Sequence, residues 1–363
     1  MAYSVAQHGP AGFPTYYDVR DVRISPNVVL APMEGVTDVI FRRVIRAIGG
    51  PGLTYTEFIA SRGIVHGEQR SWDMASFDAD ERPVALQIYG NNPAWMAEAA
   101  RQLEAEGATI LDINMGCPAK KVCQKSGGSA LMKDPALATE IVRQVRKAIS
   151  IPLTVKMRSG FDHNLRNAPE LCQIFESEGV EGLTIHWRTR EDLYGGERAV
   201  DRIAEAVQSV NIPVVANGDI IDVESARQMF EETQCAGVML GRGAIRDPWA
   251  LLHIAQWLRD EPRTPITSEE RCRVLMMYYD RIQEHFEALD QKHRTLGRVK
   301  MMIRHFAEPL PHGKELRNRV CRSQSIQAAK QITRDYFDAL ARFEAGDLDA
   351  FIQEGWAAIK AAS

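Results

Sequence analysis

The sequence predicts an α/β protein: a (β/α)8 TIM barrel followed by a smaller C-terminal helical domain. Three observations carry that prediction. Eight short apolar runs recur between residues 28 and 242, most are separated by stretches of helical periodicity, and strand-like runs stop after about residue 262. Strands that alternate with helices are parallel strands joined by crossovers. Eight such units in roughly 230 residues match a closed barrel better than an open doubly wound sheet.

The runs, in order, are VVLAPM (28–33), TYTEFI (54–59), VALQIYG (84–90), ILDINMG (110–116), LTVKMRS (153–159), GLTIHW (182–187), PVVANGD (213–219) and GVMLGR (237–242). Helical spacing separates them at Pro93–Glu106, Pro135–Ile149, Val200–Val210, Val223–Glu232 and Trp249–Trp257. A polar side chain interrupts five of the runs near the C-terminal end: Gln87, Asn114, Lys156, His186 and Asn217. Any one of these alone reads equally as a satisfied core residue. Five at equivalent strand ends converge on one barrel mouth, where the active sites of this fold lie. The expected domains are 1–262 for the barrel and 263–363 for the helices. In the second, helices are expected at Ser268–Leu289, with Ser268 as N-cap, and at Leu296–Phe306, Ser325–Phe343 and Leu348–Ile359.

With 45% hydrophobic and 25% charged residues the chain has an ordinary soluble composition. No apolar run reaches the ~20 residues of a membrane span, and the opening MAYSVAQHGPAGFP lacks the basic-then-apolar order of a secretory signal. A cytoplasmic protein with no membrane partner is expected. Its six cysteines, Cys117, Cys123, Cys172, Cys235, Cys272 and Cys321, are scattered, so reduced thiols are expected, and no zinc spacing is completed, so no metal is. Net charge is −4, but between Asp290 and Arg334 eleven Lys or Arg face three acidic residues, leaving +8 there and −12 elsewhere. That asymmetry points to a polyanion-binding surface on an otherwise acidic body.

APMEGVTDVIFR (31–42), DINMGCPAKKV (112–122), GSALMKDP (128–135), VKMRSG (155–160), TIHWRTR (184–190), ANGDI (216–220) and MLGRGAIRDPW (239–249) occur in an order that resembles the tRNA-dihydrouridine synthases, most of all their bacterial B-type branch. The resemblance covers the predicted barrel, and it implies that the helical tail binds RNA. It implies a two-stage reaction in which NADPH reduces FMN and reduced flavin then passes hydride to C6 of a uridine in tRNA. Cys117 is the implied donor of the proton to C5, and the enzyme is expected to act as a monomer. The residues agree: Gly116-Cys117-Pro118 follows the fourth strand-like run, in a loop at the expected mouth, and an ordinary thiol stays protonated at neutral pH.

The same matching implies FMN contacts from Pro32, Met33, Gln87, Lys156 and His186, a cation near the ring being suited to the negative charge of reduced flavin. Asn217-Gly218-Asp219 and Gly241-Arg242-Gly243 end the seventh and eighth runs, the usual phosphate site of this fold, and Arg242 adds charge. One departure is Trp187, where the family pattern has glycine; strand alternation would send it away from an inward-pointing His186. Arg158, Arg188 and Arg190 are open between nucleic-acid contacts and ordinary ion pairs. Arg298, Lys300, Arg304 and the cluster Lys314–Arg322 are expected on the tRNA-backbone surface. A small-molecule FMN reductase and an RNA-binding barrel without chemistry are the competing readings.

Overall fold

The computed structural model describes residues 8–124 and 127–356. Eight parallel strands close on themselves: β1 (Val28–Leu30), β2 (Leu53–Tyr55), β3 (Val84–Tyr89), β4 (Ile110–Met115), β5 (Leu153–Arg158), β6 (Gly182–His186), β7 (Val214–Asn217) and β8 (Gly237–Leu240). Each pairs with its sequence neighbour, and β8 pairs with β1 to shut the barrel. The predicted barrel is therefore the observed one. Its strands are buried on both faces, which is why they read as nearly continuous apolar runs.

Four of the crossover helices, those beginning at Val39, Pro93, Pro135 and Val223, start where a short polar side chain captures a free backbone N–H. Asn92 accepts from Trp95 N with Pro93 at the first helical turn, and Asp134 does the same for Leu137 N ahead of the helix Pro135–Ala148. The run 54–59 splits, because β2 ends at Tyr55 and Ile59–Ala60 forms a separate short strand alongside Ile88 and Tyr89. A hairpin, Tyr17–Val19 against Val22–Ile24, also precedes the barrel, and three-residue strands of mixed polarity leave little pattern to find in advance. It packs against the N-terminal strand ends. A Cβ on Gly237 would come within 2.9 Å of the Tyr17 ring, so glycine there admits the plug.

Two compact units result. The first runs through Ala244 and resumes at Ala250–Arg263; the second takes Ile245–Trp249 and the chain from Thr264 onward. In the second unit, helices Ser268–Ala288, Thr295–Phe306, Gly313–Arg322 and Ile326–Glu344 surround a core that includes Tyr279, Ile303, Val320 and Tyr336. Trp249 packs on Phe306 within it. The N-cap of its first helix is Thr267 and not Ser268: Thr267 is extended and its hydroxyl accepts from Glu270 N at 3.1 Å, while Ser268 is already helical. The helix Gly313–Arg322 was not anticipated, since only Leu316 and Val320 mark its apolar stripe among charged residues. Of the expected helix 348–359, Ala350–Gln353 is helical and residues 357–359 lie outside the described ones. No helix among the described residues is long and apolar enough to cross a membrane.

One buried ion pair ties the loops around β1. Arg42, on the helix Val39–Ile48, meets Glu81 through two contacts of 2.7 and 3.2 Å and also donates to the carbonyls of Thr37 and Ser76. Both side chains are completely buried. Breaking such a pair leaves an uncompensated charge in the core. Glu81→Gln should therefore lower unfolding free energy by about 3 kcal/mol in urea denaturation, and Arg42→Met with Glu81→Leu should recover most of that loss.

Candidate active site

The mouth is organised from below by a buried carboxylate. Asp112 in β4 accepts from Thr154 Oγ1 at 2.5 Å and from Gln87 Nε2 at 2.7 Å. Burial pushes its carboxyl up to about 6, against those hydrogen bonds and Lys156, which pull it down. The Gln87 amide, polarised in this direction, takes Asn114 Nδ2 on its Oε1 at 2.7 Å. Asn114 is thereby left with its Oδ1 turned to the following loop, where it accepts from the N–H groups of Gly116 (3.1 Å) and Cys117 (2.9 Å). Gln87, expected at the cofactor ring, has no exposed surface and is in register with Asp112, one inward step below Asn114 and Lys156. Both ends of its amide are engaged, the nitrogen by Asp112 and the oxygen by Asn114.

Cys117 sits at the mouth as expected from its motif, with its backbone held on both sides. Its N–H goes to Asn114, and its carbonyl accepts from Ser129 N (3.2 Å), Ser129 Oγ (2.9 Å) and the Cys123 thiol (3.4 Å). Gly128, at φ +57°, lets that turn close, since a Cβ there would come within 2.9 Å of the Cys117 carbonyl oxygen. The preceding carbonyl, of Gly116, accepts from Arg158 Nε at 3.0 Å. Burial raises the Cys117 pKa above the ordinary thiol value, Cys123 and Glu34 adding to it while a backbone N–H and Arg158 oppose it. The group is a thiol at neutral pH. All six cysteines are free.

Lys156 and His186 reach the same mouth from β5 and β6. Desolvation, and then Arg158, bring Lys156 down to about 8. Desolvation and the surrounding cations Lys156, Arg158, Arg188 and Arg242 hold His186 well below its ordinary value, so its imidazole is neutral. Its Nδ1 accepts from Arg188 N at 3.1 Å, which assigns the ring proton to Nε2. Arg158 pins two loops: besides Gly116 O, it donates to the carbonyls of Thr189 (2.6 Å) and Leu193 (3.0 Å). It is buried, and these bonds go to backbone carbonyls.

The ends of β6, β7 and β8 form a cationic corner. Arg188 holds the Asp219 carboxylate through two bonds of 3.0 and 2.6 Å, and Arg242 touches the same carboxylate once, at 3.2 Å. Arg242 is over half exposed and lies 5.1 Å from the Tyr194 ring centroid. Asn217 anchors the corner to β8 through the Met239 carbonyl at 2.8 Å, and Asp219 follows Gly218 with both residues at positive φ. Gly241 is open to its surroundings, with Met33 Sδ 3.9 Å from where its Cβ would stand. Met33, in the loop after β1, thus borders the corner, with its N–H taken by Thr37 Oγ1 at 2.9 Å.

Trp187 does not turn away. Strand β6 ends at His186, so alternation no longer governs the next residue, and the indole folds back over Gly218 with its ring centroid 5.9 Å from that of His186. The structure therefore gathers Pro32, Met33, Lys156, His186, Asn217, Gly218, Asp219, Gly241, Arg242 and Cys117 at one end of the barrel, and places Gln87 beneath them. Asp112 and Ser129 were missed. For Asp112 the signal was present: it lies two residues before Asn114 in an apolar strand, on the same face.

Keeping Lys156 at this mouth opposes folding. The unfolded chain holds the lysine proton up to about 10.5 and the folded chain only to about 8, so between those values stability contributed by this group rises with pH, and below 8 the burial cost is fully present. Lys156→Met should accordingly raise the melting temperature at pH 7 by a few degrees and remove that part of the pH dependence, both read by thermal denaturation.

The family described as dihydrouridine synthase (Dus) matches residues 29–341. The chain is 37% identical over 329 residues to a probable tRNA-dihydrouridine synthase of Rickettsia conorii, covering 89% of this chain and 96% of that protein. It is 36% identical to tRNA-dihydrouridine synthase B of Pseudomonas aeruginosa, covering 87% and 96% of the two chains. To the B enzyme of Xanthomonas axonopodis it is 38% identical, covering 87% and 94%. Among solved structures, histamine dehydrogenase from Rhizobium sp. 4-9 shares the fold at a TM-score of 0.50 and 14% identity, over 72% of this chain and 50% of that one. A closed barrel that bears the family's motifs at a single mouth, and relatives matched over nearly their whole length, place this chain in the dihydrouridine synthase family.

Proposed function

We propose that this chain is a flavin-dependent tRNA-dihydrouridine synthase that reduces a uridine of tRNA to 5,6-dihydrouridine, with FMN as cofactor and NADPH as reductant. The observation that carries the reading is Cys117: a thiol whose backbone is clamped by Asn114 and Ser129 at the mouth, and which burial keeps protonated. FMN, once bound and reduced by NADPH, supplies the hydride taken up at C6 of the uracil ring. Cys117 supplies the proton for C5, so its role is that of a general acid, which requires the thiol form.

The residues present fit the cofactor. The turns Asn217-Gly218-Asp219 and Gly241-Arg242-Gly243 hold its phosphate, with Arg242 able to exchange its single contact with Asp219 for a phosphate oxygen because Arg188 already neutralises that carboxylate. Lys156 sets a positive charge, and His186 Nε2 a neutral donor, toward the flavin; Pro32 and Met33 border it, and Gln87 contributes through Asn114. The uridine enters extruded from the RNA, since a stacked base exposes neither face. In the helical unit Lys292, Arg294, Arg304, Lys314, Arg322 and Arg334 stay exposed and are suited to RNA phosphates, whereas Lys300 donates to Ser323 O at 2.8 Å and is engaged within the unit. The cytoplasm, where tRNA and NADPH meet, is its place of action.

Cys117→Ala should purify with flavin bound and lose at least ~100-fold in dihydrouridine formation on unmodified tRNA; full turnover would remove Cys117 from the chemistry. Arg242→Ala should weaken FMN retention about tenfold, equivalent to ~1.4 kcal/mol, in a flavin-fluorescence titration, and unchanged affinity would remove Arg242 from the phosphate site.

A further inference from the structure

Tyr89 is the last residue of β3 and the one residue of that strand that is not buried. Strand alternation puts it on the face of Ala85, which packs in the barrel core, and of Gln87, which holds Asp112. It therefore stands one inward step above Gln87, at the mouth. Register fixes its neighbour: Ile88 lies opposite Ile113, so Tyr89 stands beside Asn114, the residue that takes the Cys117 N–H.

The ring is set edge-on against Phe58, with centroids 5.4 Å apart and planes at 83°. Its hydroxyl bonds to no described residue, and it keeps accessible surface, unlike the sealed orphans Thr54 Oγ1 and Ser159 Oγ. The phenol is thus a free donor with room for a ligand atom. Burial raises its pKa against the pull of Lys121, and Glu34 and Cys117 act in the same direction as burial, so the proton stays on oxygen at neutral pH.

Reduction of a uracil makes a demand at one atom. Hydride arriving at C6 displaces the C5=C6 electron pair toward C4, and negative charge gathers on O4 until C5 takes its proton. O4 sits on the carbon next to C5, so a ring that offers C5 to Cys117 brings O4, and not the more distant O2, close to the thiol. A donor already aimed at an oxygen where charge develops lowers the barrier.

We propose that Tyr89 is a further catalytic residue of this chain, its hydroxyl donating to O4 of the target uracil while hydride adds at C6. The inference rests on the flavin reading above and adds to it a donor for the developing oxyanion. Reduced flavin gives the hydride, and the C5=C6 pair moves through C4 to O4, where Tyr89 holds it by a hydrogen bond and keeps its own proton. The pair then returns to form the C5–H bond with the proton of Cys117, which is left as thiolate.

The test is Tyr89→Phe in the full-length, flavin-loaded protein, which keeps the ring against Phe58 and removes only the hydroxyl. Oxidation of the reduced flavin by saturating unmodified tRNA, followed anaerobically by flavin absorbance, should slow about 100-fold. Because the hydroxyl supports no bond within the fold, the melting temperature, flavin affinity, flavin reduction by NADPH and the tRNA concentration giving half-maximal rate should all stay as in the wild type. An undiminished maximal rate would overturn the proposal. So would a loss confined to tRNA affinity, or one accompanied by weaker flavin binding or a lower melting temperature, since the hydroxyl would then serve binding or folding. Failure of the wild-type protein to form dihydrouridine on any unmodified tRNA would instead remove the synthase reading itself, and the role of Tyr89 with it.

Discussion

The site depends on one carboxylate placed where a barrel normally packs hydrocarbon. Asp112 is enclosed by β3, β4 and β5, and it is tolerated because Thr154 and Gln87 donate to it and Lys156 stands near. Its consequence travels upward. An amide has two unlike ends, and once Gln87 has turned its nitrogen to Asp112, its oxygen must face Asn114, whose oxygen in turn must face the Cys117 loop. A negative charge two residues below the mouth therefore sets the direction of every hydrogen bond up to Cys117.

The mouth has two differently built halves. Around Cys117 the loops are held by neutral hydrogen bonds to backbone groups, which fix the thiol's position and leave its protonation to burial. Around β6, β7 and β8 the arrangement is ionic, with Arg188, Arg242 and Asp219 in mutual contact and His186 kept neutral among cations. Arg158 joins the halves by holding the carbonyl before Cys117 and two carbonyls of the loop after β6.

How much of this was legible in the sequence follows from the range of each interaction. Strand order and the mouth were readable because parallel strands are buried on both faces and leave apolar runs, and because polar side chains at their ends stand out against them. The five marked polar residues all proved to lie in or just below the mouth. Their depth was not readable: Gln87 and Lys156 look alike in a strand pattern, and only register separates the buried amide from the mouth lysine. Trp187 escapes the strand pattern for a related reason, since alternation holds inside a strand and β6 ends one residue earlier. The hairpin at 17–24 and the helix Gly313–Arg322 carried too few apolar positions to show a period.

A protonated thiol in a mouth lined by arginines looks contradictory, because a nearby guanidinium ordinarily favours thiolate. The resolution lies in what those cations already hold. Arg158, the nearest to be felt by Cys117, has its donors on three backbone carbonyls, whose dipoles offset its charge, and Arg188 is paired with Asp219. With Glu34 adding negative charge from the loop after β1, burial is left as the larger influence and the proton stays on sulfur. A neutral thiol and a group of cations can then share a single mouth, because Arg158 is already committed to backbone carbonyls and Arg188 to Asp219.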